Sequence, residues 1–250
     1  MSPLTMAEGA TPPLFFIPAF PPTGVLQYAQ IAPHLEGTRE MRFTRHPGHQ
    51  PNETLLTWAA LISVHADAIL KASPAGPIVL VGHSAGGWVS MGVVERLRAV
   101  EPTRQVAVVL LDSPPPPATI RGYDYPGFFV QTLSEVVRGN MDTVALNPAE
   151  LVQAMHDPFG WSAATWNSQR GFEFVPPTVD IPVLLVRARE ENPLLNVESV
   201  PETTAHALGW ERFAPSLTVV DVDGTHFSMV HDPHSEALCK AIEAWLSEVL

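Results

Sequence analysis

The apolar run Pro77-Ile78-Val79-Leu80-Val81 leads straight into Gly82-His83-Ser84-Ala85-Gly86, and a helical pattern (Trp88, Val89, Met91, Val93, Val94, Leu97) leads straight out of it. A strand that is apolar at every position needs cover on both faces, as in the middle of a parallel sheet. Glycines at both ends of the turn allow a bend that side chains would block. A serine on such a strand–turn–helix is held in a strained conformation above the sheet, exposed as a nucleophile. The bare pattern G-x-S-x-G is weak in a chain with 16 glycines. The strand before and the helix after it outweigh the plainer reading, a glycine-rich turn with a helix-capping serine.

The rest of the chain alternates in the same way. Strands are expected at Leu14–Ile17, around Met41–Phe43, and at Val106–Leu111, Ile181–Val186 and Leu217–Val222. Helices are expected at about Val25–Leu35, Thr54–Lys71, Ala85–Ala99 and Pro233–Val249, the second carrying Leu55, Trp58, Leu61, Ile62, His65 and Ile69 at helical spacing. Alternation of this kind specifies an α/β fold, a mostly parallel central sheet flanked by helices, with ligands at the carboxyl ends of the strands. The 250 residues, 46% of them hydrophobic and 16% charged, suffice for one large core, so a single domain is expected over residues 1–250.

The net charge of −12, with no run of Lys or Arg longer than two, argues against binding to nucleic acid or an anionic membrane. Cys239, the only cysteine, has no partner for an internal disulfide and falls on the expected buried face of the last helix. No apolar run reaches the ~20 residues of a membrane span, and no basic stretch followed by an apolar one marks a signal peptide. A cytoplasmic location is expected.

Between Asp112 and Ile181 the rhythm breaks. This stretch opens with Pro114-Pro115-Pro116-Pro117 and contains Tyr123, Tyr125, Phe128, Phe129, Phe159, Trp161 and Trp166. So long an insertion at the carboxyl end of the sheet is expected, over about residues 114–178, to form a helical lid and an apolar substrate chamber; ordinary packing helices are the alternative.

A serine hydroxyl needs a base, and the base an orienting acid. The candidate base is His226, in Asp223-Gly224-Thr225-His226-Phe227 after the last strand; His231 and His234 are rivals near the start of the last helix. His83 is expected to be structural, and His46 and His49 to lie in a loop. Asp112, which ends an apolar strand where a buried carboxylate needs a partner, and Glu190 or Glu191, after the next strand, compete for the acid. Of the backbone N–H donors that would stabilise an oxyanion, Ala85 is the first candidate. The second comes from Pro18-Ala19-Phe20-Pro21-Pro22, where proline has no N–H. That leaves Ala19 and Phe20, with Phe20 the choice. No His/Asp/Glu cluster has metal-ligand spacing on a helix, and no cofactor is expected.

Several segments together resemble the chain-releasing thioesterases of modular polyketide synthases, within the α/β-hydrolase superfamily. They are Val81-Gly82-His83-Ser84-Ala85-Gly86-Gly87, Leu110-Leu111-Asp112-Ser113-Pro114-Pro115, Leu185-Val186-Arg187-Ala188-Arg189-Glu190 and Gly224-Thr225-His226-Phe227-Ser228-Met229, with Pro47-Gly48-His49-Gln50-Pro51 a looser match. The resemblance implies Asp112 as the acid. It also implies an acyl chain on the phosphopantetheine of an acyl carrier protein as substrate, released by hydrolysis or by macrolactonisation. Two departures stand out. Only a short stretch precedes the expected first strand, where that family commonly carries dimer-forming helices, and Ala19-Phe20-Pro21-Pro22 replaces a more glycine-rich loop. A free-standing esterase, lactonase or editing enzyme on small acyl substrates is the competing reading. A hydrolase fold kept as a binding protein is a third, disfavoured because all three catalytic positions are filled.

Overall fold

The computed structural model describes residues 2–20, 24–50, 52–116, 158–190 and 206–250. Seven strands form one sheet: β1 Leu4–Ala7, β2 Ala10–Ile17, β3 Arg39–Phe43, β4 Ile78–His83, β5 Val106–Leu111, β6 Val183–Ala188 and β7 Leu217–Val222. Their spatial order is β1-β3-β2-β4-β5-β6-β7, parallel throughout except for β1, which runs antiparallel along β3. The described helices are α1 Ala32–Leu35, α2 Trp58–Ala72, α3 Ala85–Val100, α4 Pro158–Phe172 and α5 Ser235–Val249.

Successive strand residues point to opposite faces, and the core divides accordingly. Phe15, Ile17, Leu80, Val108, Leu110, Val183 and Leu185 pack with α2, α3 and α4. Leu14, Phe16, Val79, Val81, Val109, Leu111, Leu184 and Val186 pack with residues of α1 and α5. Cover on both faces is why β4 and β5 are buried at every position. On α5 the buried positions Leu238, Cys239, Ile242, Trp245 and Leu246 form one stripe.

The boundaries depart from expectation where a local group intervenes. The helix expected over Val25–Leu35 is a 3-10 turn, Gly24–Tyr28, followed by the short α1. Pro33 accounts for the break, because proline is accepted only in the first turn of a helix. α2 starts at Trp58 rather than Thr54 because the Thr57 side chain accepts the Ala60 N–H and caps it. β6 begins after Pro182, which has no N–H, and runs on to Ala188, where Arg187 pairs with Asp221 of β7. The edge strand β1 was not anticipated; only Ala7 of its four residues is buried.

Cys239 lies as expected in the core, and burial raises its thiol pKa to about 12. The folded protein is therefore expected to leave a small aromatic disulfide reagent unreacted at pH 8. Unfolding in guanidinium should release one titratable thiol per chain, and prompt reaction of the native protein would contradict this burial.

Candidate active site

Ser84 stands between the end of β4 and the start of α3 with φ 53° and ψ −129°, a conformation that strains any residue with a β-carbon. The surroundings hold it there. Its N–H donates to Leu111 O (3.0 Å), and its carbonyl accepts from Gly87 N (3.0 Å) and Ser113 Oγ (2.6 Å). A β-carbon on Gly82 would lie 2.4 Å from the Gly86 carbonyl carbon, and one on Gly86 would lie 2.3 Å from Ile17 O. Both glycines are thus required by close backbone approach. Ala85 opens α3, where a backbone N–H has no partner within the helix.

Asp112 follows β5 with φ 41°. Its N–H donates to Val186 O (2.7 Å), its Oδ1 accepts from Ala188 N (3.1 Å), and its Oδ2 accepts from His226 Nδ1 (2.8 Å). The Asp112 and His226 side chains are each only 2% exposed. Burial opposes ionisation of Asp112, but the hydrogen bond and charge of His226 and the Ala188 N–H outweigh it and hold the carboxyl below its usual range. An ionised carboxylate only accepts hydrogen bonds, so His226 donates Nδ1–H to it, and in the neutral ring the lone pair is on Nε2. Glu190 is exposed, with its N–H on Gly224 O. Glu191 lies outside the described residues. His231 is buried with its Nδ1 unpartnered, and His234 caps α5 without a side-chain hydrogen bond.

The loop after β2 is held by Gln27, which the sequence did not single out, and by histidines to which it assigned no such contact. Ala19 N–H donates to Gln27 Oε1 (3.0 Å), and the Gln27 amide nitrogen lies 2.7 Å from His83 Nδ1. His83 Nε2 lies 2.7 Å from His226 O, with the two rings tilted by 33° and their centroids 4.6 Å apart. His46 lies in the loop after β3, as expected, and is buried there, its Nε2 on Pro18 O (2.8 Å) and its Nδ1 on His65 Nε2 (2.9 Å). The ring of Phe20 sits among His46, Trp58 and Trp88. Only His83, next to the serine, carried a positional signal in the sequence. Gln27, His46 and His65 reach this loop through tertiary contacts.

The root of the insertion is anchored by indoles. Trp88 Nε1 donates to Pro114 O (2.7 Å), and Trp210 Nε1 donates to Ser113 O (2.5 Å). Farther on, Trp166 Nε1 of α4 donates to Leu56 O (2.5 Å), and Trp161 packs against the core. Tyr123, Tyr125, Phe128 and Phe129 fall outside the described residues, as does the side chain of Phe159. Among the described residues no group of His, Cys, Asp and Glu is arranged to hold a metal ion, and no helix is long and apolar enough to cross a membrane.

The thioesterase domain family model matches residues 12–246. The chain belongs to the thioesterase domain family. It is 29% identical over 250 residues to the polyketide synthase GfsE of Streptomyces halstedii, covering 97% of this chain and 6% of that protein. It is 26% identical over 249 residues to the spectinabilin polyketide synthase system protein NorC of Streptomyces orinoci, covering 98% of this chain and 10% of that one. The chain therefore spans a small part of these relatives' length. Its fold matches that of the Vlm2 thioesterase domain bound with a dodecadepsipeptide, at a TM-score of 0.69 and 19% identity over 97% of both chains. The α/β-hydrolase architecture, the thioesterase family and the polyketide synthase relatives all follow the expectation from the sequence.

The buried histidines of this thioesterase give its stability a defined pH dependence. Burial lowers the pKa of His65 to about 4; burial, then the charge of His226, lowers that of His83 to about 3. Burial, then His65 and His49, lowers that of His46 in the same direction. In the unfolded chain each histidine takes up a proton below about pH 6.5. Between that pH and the folded values the unfolded state binds more protons, so stability is full above pH 6.5 and falls on acidification. Each group contributes about 1.4 kcal/mol per pH unit in that window. Thermal midpoints measured at pH 7, 5.5 and 4.5 should fall in that order. His65→Gln should flatten the slope, and an unchanged slope would count against a neutral buried His65.

Proposed function

We propose that this thioesterase releases an acyl or polyketide chain from the phosphopantetheine of an acyl carrier protein, through an acyl-enzyme on Ser84 with His226 as base and Asp112 as its orienting acid. The observation that carries the reading is the buried 2.8 Å hydrogen bond from His226 Nδ1 to Asp112 Oδ2, at the same sheet end as the strained Ser84. The likeness to polyketide synthases supports a carrier-bound substrate.

In this reading Nε2 of His226 takes the Ser84 hydroxyl proton as Oγ attacks the thioester carbon. Charge develops on the former carbonyl oxygen, and the N–H groups of Ala85 and Phe20 donate to it. The engagement of Ala19 N–H by Gln27, together with the missing N–H of the following prolines, favours Phe20 as the second donor. Collapse of the adduct expels the pantetheine sulfur, which takes the proton from His226 and leaves as the thiol. His226 then deprotonates water or a hydroxyl of the acyl chain, whose attack gives an acid or a lactone and expels Ser84 Oγ, which takes the proton back from His226. Each step balances without a cofactor.

Purified protein is expected to turn over an acyl N-acetylcysteamine thioester in preference to the matching ethyl ester, beyond their difference in intrinsic reactivity. Acyl mass should appear on the Ser84 peptide and be absent in Ser84→Ala. Asp112→Asn should keep the fold and lower kcat by about 10³–10⁴-fold through loss of the correct imidazole tautomer. Equal or better handling of the ethyl ester would favour the free-standing esterase, and unchanged turnover by Ser84→Ala would overturn the mechanism.

A further inference from the structure

The hydrogen bonds around Pro18 and Ala19 run in one allowed direction. Ala19 N–H can only donate, so the Gln27 oxygen accepts it (3.0 Å) and the Gln27 amide nitrogen faces His83. That nitrogen can only donate, so His83 Nδ1 accepts (2.7 Å). His83 Nε2 is then the protonated nitrogen, and it donates to the carbonyl of His226 (2.7 Å). On the other side, Pro18 O can only accept, so His46 donates Nε2–H to it (2.8 Å) and its Nδ1 accepts from His65 Nε2–H (2.9 Å). His46, His65 and His83 are each at least nine-tenths buried, and no atom in either chain is left to choose its role.

Pro18 C=O and Ala19 N–H belong to one rigid peptide plane. We propose that two histidine-borne hydrogen-bond chains clamp this plane from its two ends, and that Gln27 and His83 are positioning residues tying the loop that carries Phe20 N–H to the backbone of the base His226. The inference rests on the function proposed above. Pro18 O is packed as well, since a β-carbon on Gly86 would lie 2.9 Å from it. The Phe20 ring is wedged among His46, Trp58 and Trp88, at 5.4, 6.3 and 6.2 Å between centroids. The N–H one residue beyond the clamped plane therefore keeps its direction before substrate arrives. An oxyanion donor needs that preorganisation, because a misplacement of about 1 Å costs on the order of 10²-fold in rate. The same chain sets the distance between the two loops, so donor and base move together or not at all.

The test compares wild type, Gln27→Leu, Gln27→Asn and His83→Leu, with thermal unfolding to select folded protein, using the acyl N-acetylcysteamine thioester. Gln27→Asn is one methylene too short to serve both partners and guards against a leucine variant that does not fold. Each variant should lose about 10²-fold in kcat with KM within about twofold, and Gln27→Leu/His83→Leu should lose no more than either single change. Nitrogen-15 spectra of the histidine rings should place the His83 proton on Nε2 in wild type and should change in Gln27→Leu. A wild type that turns over while Gln27→Leu and Gln27→Asn keep full kcat overturns the clamp alone. So does a His83 proton found on Nδ1. A folded wild type inert toward the thioester overturns the proposed function, and the positioning role falls with it.

Discussion

The approach of α3 to the end of β2 leaves no room for a side chain at residue 86, where a β-carbon would lie 2.3 Å from Ile17 O and 2.9 Å from Pro18 O. Backbone packing that excludes even a β-carbon lets one strand end place both a serine and the loop opposite it. Gly82 permits the chain to double back on Gly86, whose carbonyl carbon a β-carbon at residue 82 would meet at 2.4 Å, and Ser84, caught between them, takes a positive φ. The strain is borne by hydrogen bonds from neighbouring strand ends, Leu111 O on one side and Ser113 Oγ on the other. A residue out of its preferred region persists only where its surroundings over-determine it, and here the over-determination comes from β5, the strand that delivers Asp112.

The electrostatics follow from the same tight packing. One carboxylate is buried with the hydrogen bonds it needs, and the nearby histidines of the two chains are kept uncharged by burial. A cation at His83 would compete with His226 for the Asp112 charge. Neutral imidazoles instead supply one donor and one acceptor each, which suits them to long relays between backbone groups. The site thereby gains rigid polar connections without a second buried charge and its desolvation cost.

Legibility in the sequence tracked how local each cause was. β4, Ser84 and α3 were readable because apolar run, glycines and helical spacing lie within one short stretch, and α3 is found at Ala85–Val100. His226 and Asp112 carry the signal of residues that follow strands, and their side chains meet although 114 residues separate them. The break before Pro33 and the cap at Thr57 are local signals too, and reading periodicity alone passed over both. β1 was hidden because an edge strand with one buried residue lacks an apolar pattern. Gln27, His46 and His65 were hidden for another reason: their partners are Ala19, His83 and Pro18, and no periodicity in the chain encodes a side-chain hydrogen bond across a fold.

Trp88 connects the Ser84 turn to the insertion. It lies in the first turn of α3, four residues past Ser84, with its indole N–H on Pro114 O at the root of the insertion and its ring 5.8 Å from Phe172 at the end of α4. It also lies 6.2 Å from Phe20. Gly171 of α4 is the companion feature, since a β-carbon there would lie 2.9 Å from the Trp88 ring and 3.2 Å from that of Phe20. Departure and return of the insertion are therefore both registered to the helix that starts at the serine and to the residue proposed as oxyanion donor. Under the proposed function, the aromatic contacts at the two described ends of the insertion are the ones that also fix the ring of the proposed donor Phe20, so recognition and chemistry would share one support.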